Sequence, residues 1–334
     1  MFHNIQGETA NEIWQKAFNT VSKTNIIESR CGSTKELLHT TISINDPVQK
    51  WVTCKNPPLS IGYALAELIW ILHGCDESKT INYWNPVLPQ FAGDYEEYPG
   101  AYGKRIMYRY GFNQLERVYD TLKNHPESRQ AVMMIWDPRT DLPQNNGAPN
   151  NHDIPCNICS MIKLREGKLE WTQVMRSNDL VLGLPYNIVQ FTSIQEILAS
   201  WLGVEVGTYN HISDSLHIYT NKESSVGNST GEYENPDSLG IAKDDFDRVI
   251  GAIYDVMVHL SVTKVDSAEL YHLSQEDTGY EAYNNILKMI CTYSAYKEHF
   301  GDTQEEILKS CSNIVYKVLW TNWARRKQGG ISNV

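Results

Sequence analysis

The run from Ser60 to Gly74 has the length and composition of a helix that is apolar on almost every side. Such a helix is buried, so the chain must fold with protein packed around it. Gly74 marks the expected end, because glycine commonly terminates helices. The interior holds one charge, Glu67, and a buried carboxylate is costly unless it is hydrogen-bonded or functional. The alternative is that Glu67 occupies one exposed edge of the helix.

The chain is large enough to enclose this helix. Its 334 residues are 41% hydrophobic, which fits one large domain or a domain with an extension. The net charge of −11 argues against binding to nucleic acid or to an anionic membrane, so an anionic ligand would need a local cluster of arginines. The N-terminus lacks a signal pattern and no apolar run approaches ~18 residues, so we expect a cytoplasmic protein. Seven scattered cysteines predict reduced thiols.

The patterns before residue 220 predict both helices and strands. The T-x-x-E spacing that begins at Thr9 predicts a helix from about residue 10. Residues 160–164 and 169–175 predict a hairpin around residues 165–168. Apolar residues between Ile188 and Trp201 recur at the spacing of an amphipathic helix.

The rest of the chain predicts a helical extension. A polar stretch at 220–241 predicts a loop, and the patterns beyond it predict three helices, at Phe246 to Leu260, Tyr283 to Phe300 and Thr303 to Lys327. We therefore divide the chain into a catalytic core at 1–219, this loop, and an extension at 242–334 that packs on the core.

Cys156 follows Pro155 at the start of a strand-like run, after a long polar loop at residues 139–153. A lone cysteine is more often a core residue than a nucleophile. Here Arg176, in the adjoining strand of the predicted hairpin, could lower the pKa of the thiol through its positive charge. The pair therefore makes Cys156 a candidate nucleophile.

Cys159 forms a C-x-x-C pair with Cys156, a spacing that also occurs in metal and redox sites. The sequence has no second cysteine or histidine pair at metal-ligand spacing, so we predict no metal site. In a strand, positions 156 and 159 point to opposite faces. Cys159 is then predicted to be a small buried core residue.

Two further pairs carry polar groups at useful spacing. Arg176 and Ser177 offer a planar fork of donors and a hydroxyl, which suit a phosphate, although such a pair fits a solvated surface equally well. His217 and Tyr219 lie on one face of a predicted strand, where both could reach a sugar hydroxyl. By themselves, they are more often polar core residues.

Four separated blocks of this chain resemble one family in order and approximate spacing. They are Glu67-Leu68-x-Trp70, Pro155-Cys156, Arg176-Ser177-x-Asp179-x-x-Leu182-Gly183-x-Pro185-Tyr186-Asn187, and Asp214-x-x-His217-x-Tyr219. The family is that of thymidylate synthases and pyrimidine-nucleotide hydroxymethylases, and the resemblance covers roughly residues 10–220. It implies an α+β homodimer with a large mixed β-sheet and flanking helices. It also implies one-carbon transfer from 5,10-methylenetetrahydrofolate to C5 of a pyrimidine nucleoside monophosphate, through a covalent cysteine–C6 adduct.

The resemblance implies a role for each matching side chain. Cys156 would be the nucleophile, Glu67 would organise proton transfers at the ring, and Tyr102 would lie near the proton removed from C5. The 5′-phosphate would be held by Arg30, Arg176, Ser177 and the partner subunit's Arg129. The other contacts would be made by Asn187 to the base, His217 and Tyr219 to the ribose, Asp179 to the pterin of the folate, and Trp84 to the wall of the cofactor site.

The chain departs from the family pattern at several of these positions. Asn187 offers a donor and an acceptor that can pair with N3–H and O4 of uracil, whereas the cytosine-specific branch resembles an aspartate there, so we favour a uridine nucleotide and dUMP in particular. Gln130 replaces a usual second arginine, and Asn157 replaces a usual histidine. The segment after Trp84 lacks the second tryptophan of the family.

Residues 323–334 do not resemble the short apolar tail that seals a synthase. Water added to the methylene left on the base gives a hydroxymethyl group, whereas hydride from the folate gives a methyl group, so exclusion of water selects the product. We favour hydroxymethylation. The alternatives are a thymidylate synthase proper, a CMP or dCMP hydroxymethylase, and a non-catalytic relative that binds a nucleotide or RNA.

Overall fold

A computed structural model describes residues 2–221, 224–227 and 233–329 of the chain. The strands are β1 (His3–Gly7), β2 (Ile26–Ser29), β3 (Gly32–Ile44), β4 (Lys55–Asn56), β5 (Val132–Met134), β6 (Asn157–Arg165), β7 (Lys168–Met175), β8 (Asn178–Asp179), β9 (Glu205–Tyr219) and β10 (Ser225–Val226). The helices are α1 (Ala10–Val21), α2 (Ile61–Leu72), α3 (Ser78–Trp84), α4 (Pro89–Ala92), α5 (Tyr102–Met107), α6 (Gln114–Asn124), α7 (Pro138–Asp141), α8 (Leu184–Leu202), α9 (Lys243–Val262), α10 (Ser267–Ser274), α11 (Glu281–Lys297), α12 (Gly301–Ser310) and α13 (Ile314–Gly329). No helix within the described ranges is long and apolar enough to cross a membrane.

A mixed sheet of eight strands carries the fold, in the order β1-β3-β9-β7-β6-β5, with β2 beside β3 and β8 beside β9. β3 and β9 pair antiparallel, whereas β9 and β7 pair parallel. The predicted hairpin is present as β6 and β7. Its turn consists of Glu166 and Gly167, whose φ angles of 52° and 76° are those of a tight turn that favours glycine. The predicted α+β class, a mixed sheet with flanking helices, is confirmed.

The buried helix predicted at residues 60–74 is confirmed as α2. Every residue of α2 except Glu67 is buried. The helix α8 contacts strands β7 and β9 of the sheet, and α2 packs on α8. The helix predicted from Thr9 is also present as α1, and the Thr9 hydroxyl accepts the backbone N–H of Glu12 at 3.2 Å.

The prediction that α8 is amphipathic was wrong, because the helix is buried on nearly every face. Its polar side chains find partners inside the protein. Gln195 donates to the carbonyl oxygens of Leu169 at 2.8 Å and Gly207 at 3.1 Å. Glu196 forms an ion pair with Lys50, which is buried with it. Polar residues of α8 can therefore reach other parts of the core.

The C-terminal helices α9, α11 and α13 also contact α2. At Gly62 the approach is so close that a Cβ atom would lie 2.7 Å from Cδ2 of Tyr293 in α11. Tyr293 belongs to an aromatic cluster whose other members are Tyr296, Trp320 and Trp323. The last helices therefore pack against the helix that carries Glu67.

The single helix predicted from Thr303 to Lys327 was wrong, because α12 and α13 are separate. Asn313 explains the break. Its side-chain oxygen accepts the backbone N–H groups of Val315 and Tyr316, which start α13, and asparagine is a favoured residue at that position. The short helix α10 was not predicted.

Asn313 also ties α13 to the segment that precedes α9. Its amide donates at 2.8 Å to both Asn235 and Asp237, two buried residues of the predicted polar loop. Residues 222–223 and 228–232 of that loop lie outside the described residues. The division into core, loop and extension stays a prediction.

Candidate active site

Cys156 lies immediately before β6, and its carbonyl oxygen accepts the backbone N–H of Arg176 at 3.0 Å. The next residue, Asn157, is fully buried, and its Oδ1 accepts Nε2 of Gln173 at 2.8 Å. The hairpin thus fixes the backbone on which the thiol is carried. The thiol itself is half-buried, and all seven cysteines of the chain are free.

Arg176 holds the segment that precedes Cys156 through hydrogen bonds to its backbone. Its Nε and Nη2 donate to the carbonyl oxygens of Pro155 at 3.1 Å and Ile154 at 3.2 Å. The guanidinium also lies over the ring of Trp136, 5.4 Å from the centroid. These contacts hold a positive charge beside the thiol.

The charge of Arg176 acts on the thiol pKa of Cys156 in the expected direction, but the net pKa lies above its ordinary value. Burial raises the pKa of Cys156, and the charge of Arg176 opposes this without overcoming it. Negative charges on Asp153 and Asp179 also raise it. Desolvation is the larger effect because it penalises the thiolate directly.

Cys159 is half-buried, so the prediction of a buried core residue was wrong. It pairs in the sheet with Met134, which is itself exposed, and with Val174. A register shift between Asn157 and Cys159 marks a β-bulge. The bulge interrupts the simple alternation of faces that the prediction assumed.

Glu67 receives a hydrogen bond on each carboxylate oxygen. Tyr63 Oη donates to Oε1 at 2.6 Å, and Gln190 Nε2 donates to Oε2 at 2.6 Å. Burial nevertheless raises the pKa of Glu67 to about 7, although both hydrogen bonds lower it. The carboxyl group can therefore gain or lose a proton near neutral pH, as a general acid or base must.

Gln190 was not among the predicted residues, although it connects two that were. Asn187 Nδ2 donates to Gln190 Oε1 at 3.1 Å, and Gln190 in turn donates to Glu67. Asn187 and Gln190 are both buried in the first turns of α8. The arrangement connects the predicted base-binding amide to the predicted proton-transfer group.

Tyr102, at the start of α5, lies within electrostatic range of both predicted catalytic groups. Burial raises the pKa of its hydroxyl well above the ordinary value, and negative charge on Cys156 or Glu67 raises it further. Its ring lies 6.2 Å from that of Phe191 in α8. Tyr102 thus lies in one region with Cys156 and Glu67, whereas the catalytic roles of the three residues stay predictions.

A cleft of about 220 Å³ lies beside this region. It is lined by Ser29, Arg30, Cys31, Thr34, Glu36, Ser177, Ser215, His217 and Tyr219. Four of these were predicted as phosphate or sugar ligands: Arg30, Ser177, His217 and Tyr219. Burial raises the pKa of Tyr219, and negative charge on Cys156 raises it further, so the thiol is within electrostatic range of the cleft.

Burial also lowers the pKa of His217, against the opposing charges of Asp179 and Glu36. His217 is therefore neutral at pH 7, and it can donate to or accept from a ligand hydroxyl. Glu36 and Ser215 were not predicted. The one sequence signal for Glu36 is the alternation of side chains along a strand, which places Thr34 and Glu36 on the same face of β3. In the sheet, Thr34 pairs with Tyr219 and Glu36 pairs with His217.

Asp179 stands opposite His217 in the pairing of β8 with β9. Its Oδ1 accepts the backbone N–H groups of Val181 at 2.8 Å and Leu182 at 2.9 Å. Nearby is Lys55, which is buried, and burial lowers its pKa to about 8. Asp179 opposes that shift, whereas the positive charge of Arg326 in α13 adds to it.

Trp84 is 2% exposed, at the end of α3. Its ring packs against Tyr83 and Tyr293, with centroids 4.7 Å and 6.5 Å away. Its Nε1 has no hydrogen-bond partner within the part of the chain that the structure describes. A helix of the predicted extension therefore covers the tryptophan that was predicted to face the cofactor.

Arg129 lies apart from all of these residues. It lines an open groove with the turn between β6 and β7, which includes Arg165 and Gly167. Cys156 is at the opposite end of β6, a strand of nine residues, so the two are on the order of 30 Å apart in one chain. Arg129 cannot contact a ligand held at Cys156 of its own chain.

The fold and the site define a class of α+β proteins with a cysteine at the start of a strand, a carboxyl group on a buried helix, and a tyrosine within electrostatic range of both. Comparison with known proteins gives the same result. The family model described as thymidylate synthase matches residues 37–249, well over half of the chain. This chain belongs to the thymidylate synthase family.

Individual relatives include proteins with two different names. A deoxyuridylate hydroxymethyltransferase of Bacillus phage SP01 is 32% identical over 229 residues, which are 65% of this chain and 59% of the phage protein. One of Delftia phage PhiW-14 is 31% identical over 60% of this chain and 57% of its own length. The chain thus spans less than two thirds of the length of these phage relatives. A putative thymidylate synthase of Methanothermobacter marburgensis is 29% identical over 66% of this chain and 94% of its own.

A solved structure, the thymidylate synthase from T4 phage, matches with a TM-score of 0.48 at 22% identity. The match covers 62% of this chain and 76% of the phage chain.

Proposed function

We propose that this protein transfers a one-carbon unit from 5,10-methylenetetrahydrofolate to C5 of a uridine 5′-monophosphate, with dUMP favoured, and that the product is the 5-hydroxymethyl nucleotide. The observation that carries the proposal is that Arg176 acts on Cys156 and that Tyr102 lies within electrostatic range of both Cys156 and Glu67. Arg176 holds a positive charge behind the thiol. Glu67, with a pKa near 7, lies within electrostatic range of Tyr102, as Cys156 does.

Cys156 is the proposed nucleophile. Its sulfur forms a bond to C6 of the pyrimidine, and the C5–C6 double bond supplies the electron pair that then attacks the one-carbon unit from C5. The raised pKa of the free thiol means that a proton must leave before or during this addition. Arg176 stabilises the resulting thiolate.

Glu67 and Tyr102 are the proposed proton-transfer groups. With a pKa near 7, Glu67 exchanges protons at the pH of the cell, and Gln190 keeps its carboxylate in one orientation. Tyr102 has a strongly raised pKa and stays protonated, so its hydroxyl can donate to an oxygen or water beside C5. Once the C5 proton and the folate have left, water would add to the methylene that remains on the base. The S–C6 bond would then break, which restores the C5–C6 double bond and regenerates the thiolate.

Asn187 is the proposed reader of the base. One of its amide hydrogens donates to Gln190, which leaves the other hydrogen and the oxygen for a ligand. These can pair with O4 and N3–H of uracil, whereas cytosine presents an amino group and an acceptor N3 at those positions. This asymmetry supports a uridine nucleotide over a cytidine nucleotide.

The phosphate and sugar are proposed to occupy the 220 Å³ cleft. Arg30 and Ser177 line it, and Arg176 adjoins Ser177. His217 and Tyr219 supply neutral polar groups for the ribose. Because the acidic chain has a net charge of −11, these local cations supply the attraction for an anionic ligand.

A homodimer is proposed, with the partner subunit's Arg129 completing each phosphate site. The distance between Arg129 and Cys156 within one chain supports this. So do the exposed apolar side chains on strands of the sheet, namely Leu38, Val132 and Met134 at 50%, 39% and 37% exposure. Such a surface is typical of a subunit interface.

The residues present fit a folate. Asp179 offers a carboxylate for the amino groups of a pterin. Trp84 is buried under Tyr293 and therefore contributes to the packing of this region, without offering a surface to the cofactor. When bound there, methylenetetrahydrofolate supplies the one-carbon unit. The chain's own contribution is to hold the cofactor and to control access of water.

The names of the relatives support the proposed product. Both phage relatives described above are named deoxyuridylate hydroxymethyltransferases. The archaeal relative is named a putative thymidylate synthase, so reductive methylation of dUMP is the second candidate. One observation favours methylation: the aromatic cluster of α11 and α13 packs against α2, which carries Glu67. Such packing can exclude water from the site, and exclusion of water favours the methyl product.

Release of tritium from 5-tritiated dUMP in the presence of methylenetetrahydrofolate tests the proposal. The wild-type protein releases tritium, Cys156→Ser does not, and Cys159→Ser is a matched control that retains release. Absence of release from any pyrimidine monophosphate contradicts the proposed function. Nucleotide binding without a covalent adduct would instead support a non-catalytic relative.

Two further measurements identify the product and the preferred nucleotide. Formation of dihydrofolate, followed by absorbance, accompanies methylation but not hydroxymethylation, because only the first oxidises the folate. Mass spectrometry after competition among dUMP, UMP, dCMP and CMP identifies the preferred base and sugar. A 5-hydroxymethyl product from dCMP or CMP would identify the cytidine branch.

A further inference from the structure

The cleft contains a carboxylate for which the proposed mechanism has no role. Among its nine lining residues, Arg30 carries the permanent positive charge and Glu36 is the one acid. A carboxylate repels a phosphate, so the two side chains suit different parts of a ligand. Arg30 lies in the turn before β3, and Glu36 is the fifth residue of that strand, roughly 13 Å beyond its start. The cleft therefore has a cationic end and an end suited to a hydrogen-bond donor.

Neighbouring residues hold Glu36 in place. It stands opposite His217 in the antiparallel pairing of β3 with β9. The hydroxyl of Ser215 donates to Oε1 of Glu36, and the same oxygen of Ser215 lies 3.5 Å from Nδ1 of His217. Ser215 thus fixes one carboxylate oxygen of Glu36, and the side chain lines the cleft where a ligand would lie.

We propose, on the basis of the proposed function, that Glu36 accepts a hydrogen bond from the 3′-hydroxyl of the nucleotide sugar and that Ser215 orients the carboxylate for it. A hydroxyl is the donor that a nucleotide presents between its phosphate and its base. With the phosphate near Arg30 and the base near Cys156, the 3′-hydroxyl is the donor that ribose and deoxyribose share. The neutral His217 beside it can take part in the same network without competing as a cation.

Calorimetric binding of dUMP and of 2′,3′-dideoxyuridine 5′-monophosphate tests this contact. The two ligands differ only in the 3′-hydroxyl. We expect the wild-type protein to prefer dUMP by roughly 10- to 100-fold, the range for a hydrogen bond to a charged group. In Glu36→Gln the preference should fall about tenfold, because a neutral amide oxygen is a weaker acceptor.

Glu28→Gln is the matched control. Glu28 carries the same charge on neighbouring β2, binds Ser33 Oγ at 2.8 Å, and does not line the cleft. Removing either acid strengthens phosphate binding through charge alone, but this affects both ligands equally and cancels in their ratio. Thermal unfolding of each variant verifies that it is folded. Glu28→Gln should keep the wild-type preference.

Equal binding of the two ligands by the wild-type protein overturns the proposal without any variant. An undiminished preference in folded Glu36→Gln overturns it as well. Failure of the wild-type protein to bind either nucleotide contradicts the proposed function together with this inference. Tritium release from dUMP without a preference for the 3′-hydroxyl contradicts the inference alone.

Discussion

Gln190 donates a hydrogen bond to Glu67 at 2.6 Å from a position 123 residues further along the chain. This contact joins α8 to α2 at the centre of the site, and Gln190 also accepts the amide of Asn187. The residues proposed for base binding and for proton transfer are therefore connected by hydrogen bonds through Gln190. The first two predictions test this connection.

Replacement of Gln190 by Leu should slow catalysis and move its pH dependence. An amide hydrogen bond stabilises the charged carboxylate, so its loss raises the pKa of Glu67 above about 7. We expect kcat/KM to fall by roughly 10- to 100-fold and the ionisation seen near pH 7 to move to higher pH. The pH profile of tritium release measures both. Thr192→Val, which loses a buried hydroxyl on the same helix, should leave the ionisation in place.

Glu67→Gln should change the pH dependence of stability. Folding raises the pKa of Glu67 from 4.5 to about 7. Between pH 4.5 and about pH 7, the folded protein therefore holds a proton on Glu67 that the unfolded chain has lost. Stability of the wild-type protein therefore falls as the pH rises through this window. Glu67→Gln has no carboxyl group at this position, so its stability does not fall in this way. The free energy of unfolding of the variant minus that of the wild type should therefore increase by up to about 3 kcal/mol from pH 4 to pH 8.

Chemical denaturation at several pH values measures this difference. Glu12→Gln is a useful contrast, because a hydrogen bond with Lys16 lowers the pKa of Glu12. The stability that Glu12 contributes is present above its unfolded pKa and is lost as the pH falls. A flat difference between Glu67→Gln and wild type across pH 4 to 8 would contradict the raised pKa.

Replacement of Arg176 should change the reactivity of Cys156. The charge of Arg176 lowers the thiol pKa against the effect of burial, so Arg176→Met should slow alkylation of Cys156 by iodoacetamide at pH 8 by roughly 3- to 10-fold. Arg176→Lys keeps the charge and should react at nearly the wild-type rate. Peptide mass spectrometry separates Cys156 from the exposed Cys31. Equal rates for all three proteins would show that Arg176 acts only through its hydrogen bonds.

A shared active site predicts that two inactive variants restore each other. Cys156→Ser and Arg129→Glu subunits should each be inactive or nearly so alone. In a hybrid dimer, one site carries both changes and the other carries neither, so a fully exchanged equimolar mixture should have about a quarter of its sites intact. Tritium release from the mixture measures this. An Arg165→Glu subunit, changed in the same groove, is the control for nonspecific effects of charge. No recovery after verified exchange would contradict the contribution of Arg129 in trans.

Sequence reasoning succeeded where the signal is local. The apolar run around Glu67 predicted α2, the spacing after Thr9 predicted α1, and two strands with a glycine turn between them predicted the hairpin behind Cys156. Each of these elements is determined by residues close together in the chain. The residues predicted to hold the phosphate and the sugar include Arg30, Ser177, His217 and Tyr219, and these four line one cleft.

It failed where the structure depends on distant contacts. Gln190 in α8 and Glu36 in β3 are polar residues without a motif, and their position follows from the packing of α8 on α2 and from the register of β3 with β9. The bonds that tie Asn313 to Asn235 and Asp237 join positions 78 and 76 residues apart, so no local pattern indicates them. The pKa of Cys156 depends on how completely the fold removes water from the thiol. The presence of Arg176 in the sequence does not reveal this burial.

The contact between Gly62 and Tyr293 has a consequence for how this family diverges. Gly62 precedes Glu67 by five residues on α2, whereas Tyr293 belongs to a helix beyond the region shared with the catalytic blocks. Substitutions in α11 can therefore change the surroundings of the carboxyl group in a lineage whose motifs stay intact. Relatives with identical blocks can then differ in product. Classifying them requires comparison of the helices behind α2 as well as the motifs themselves.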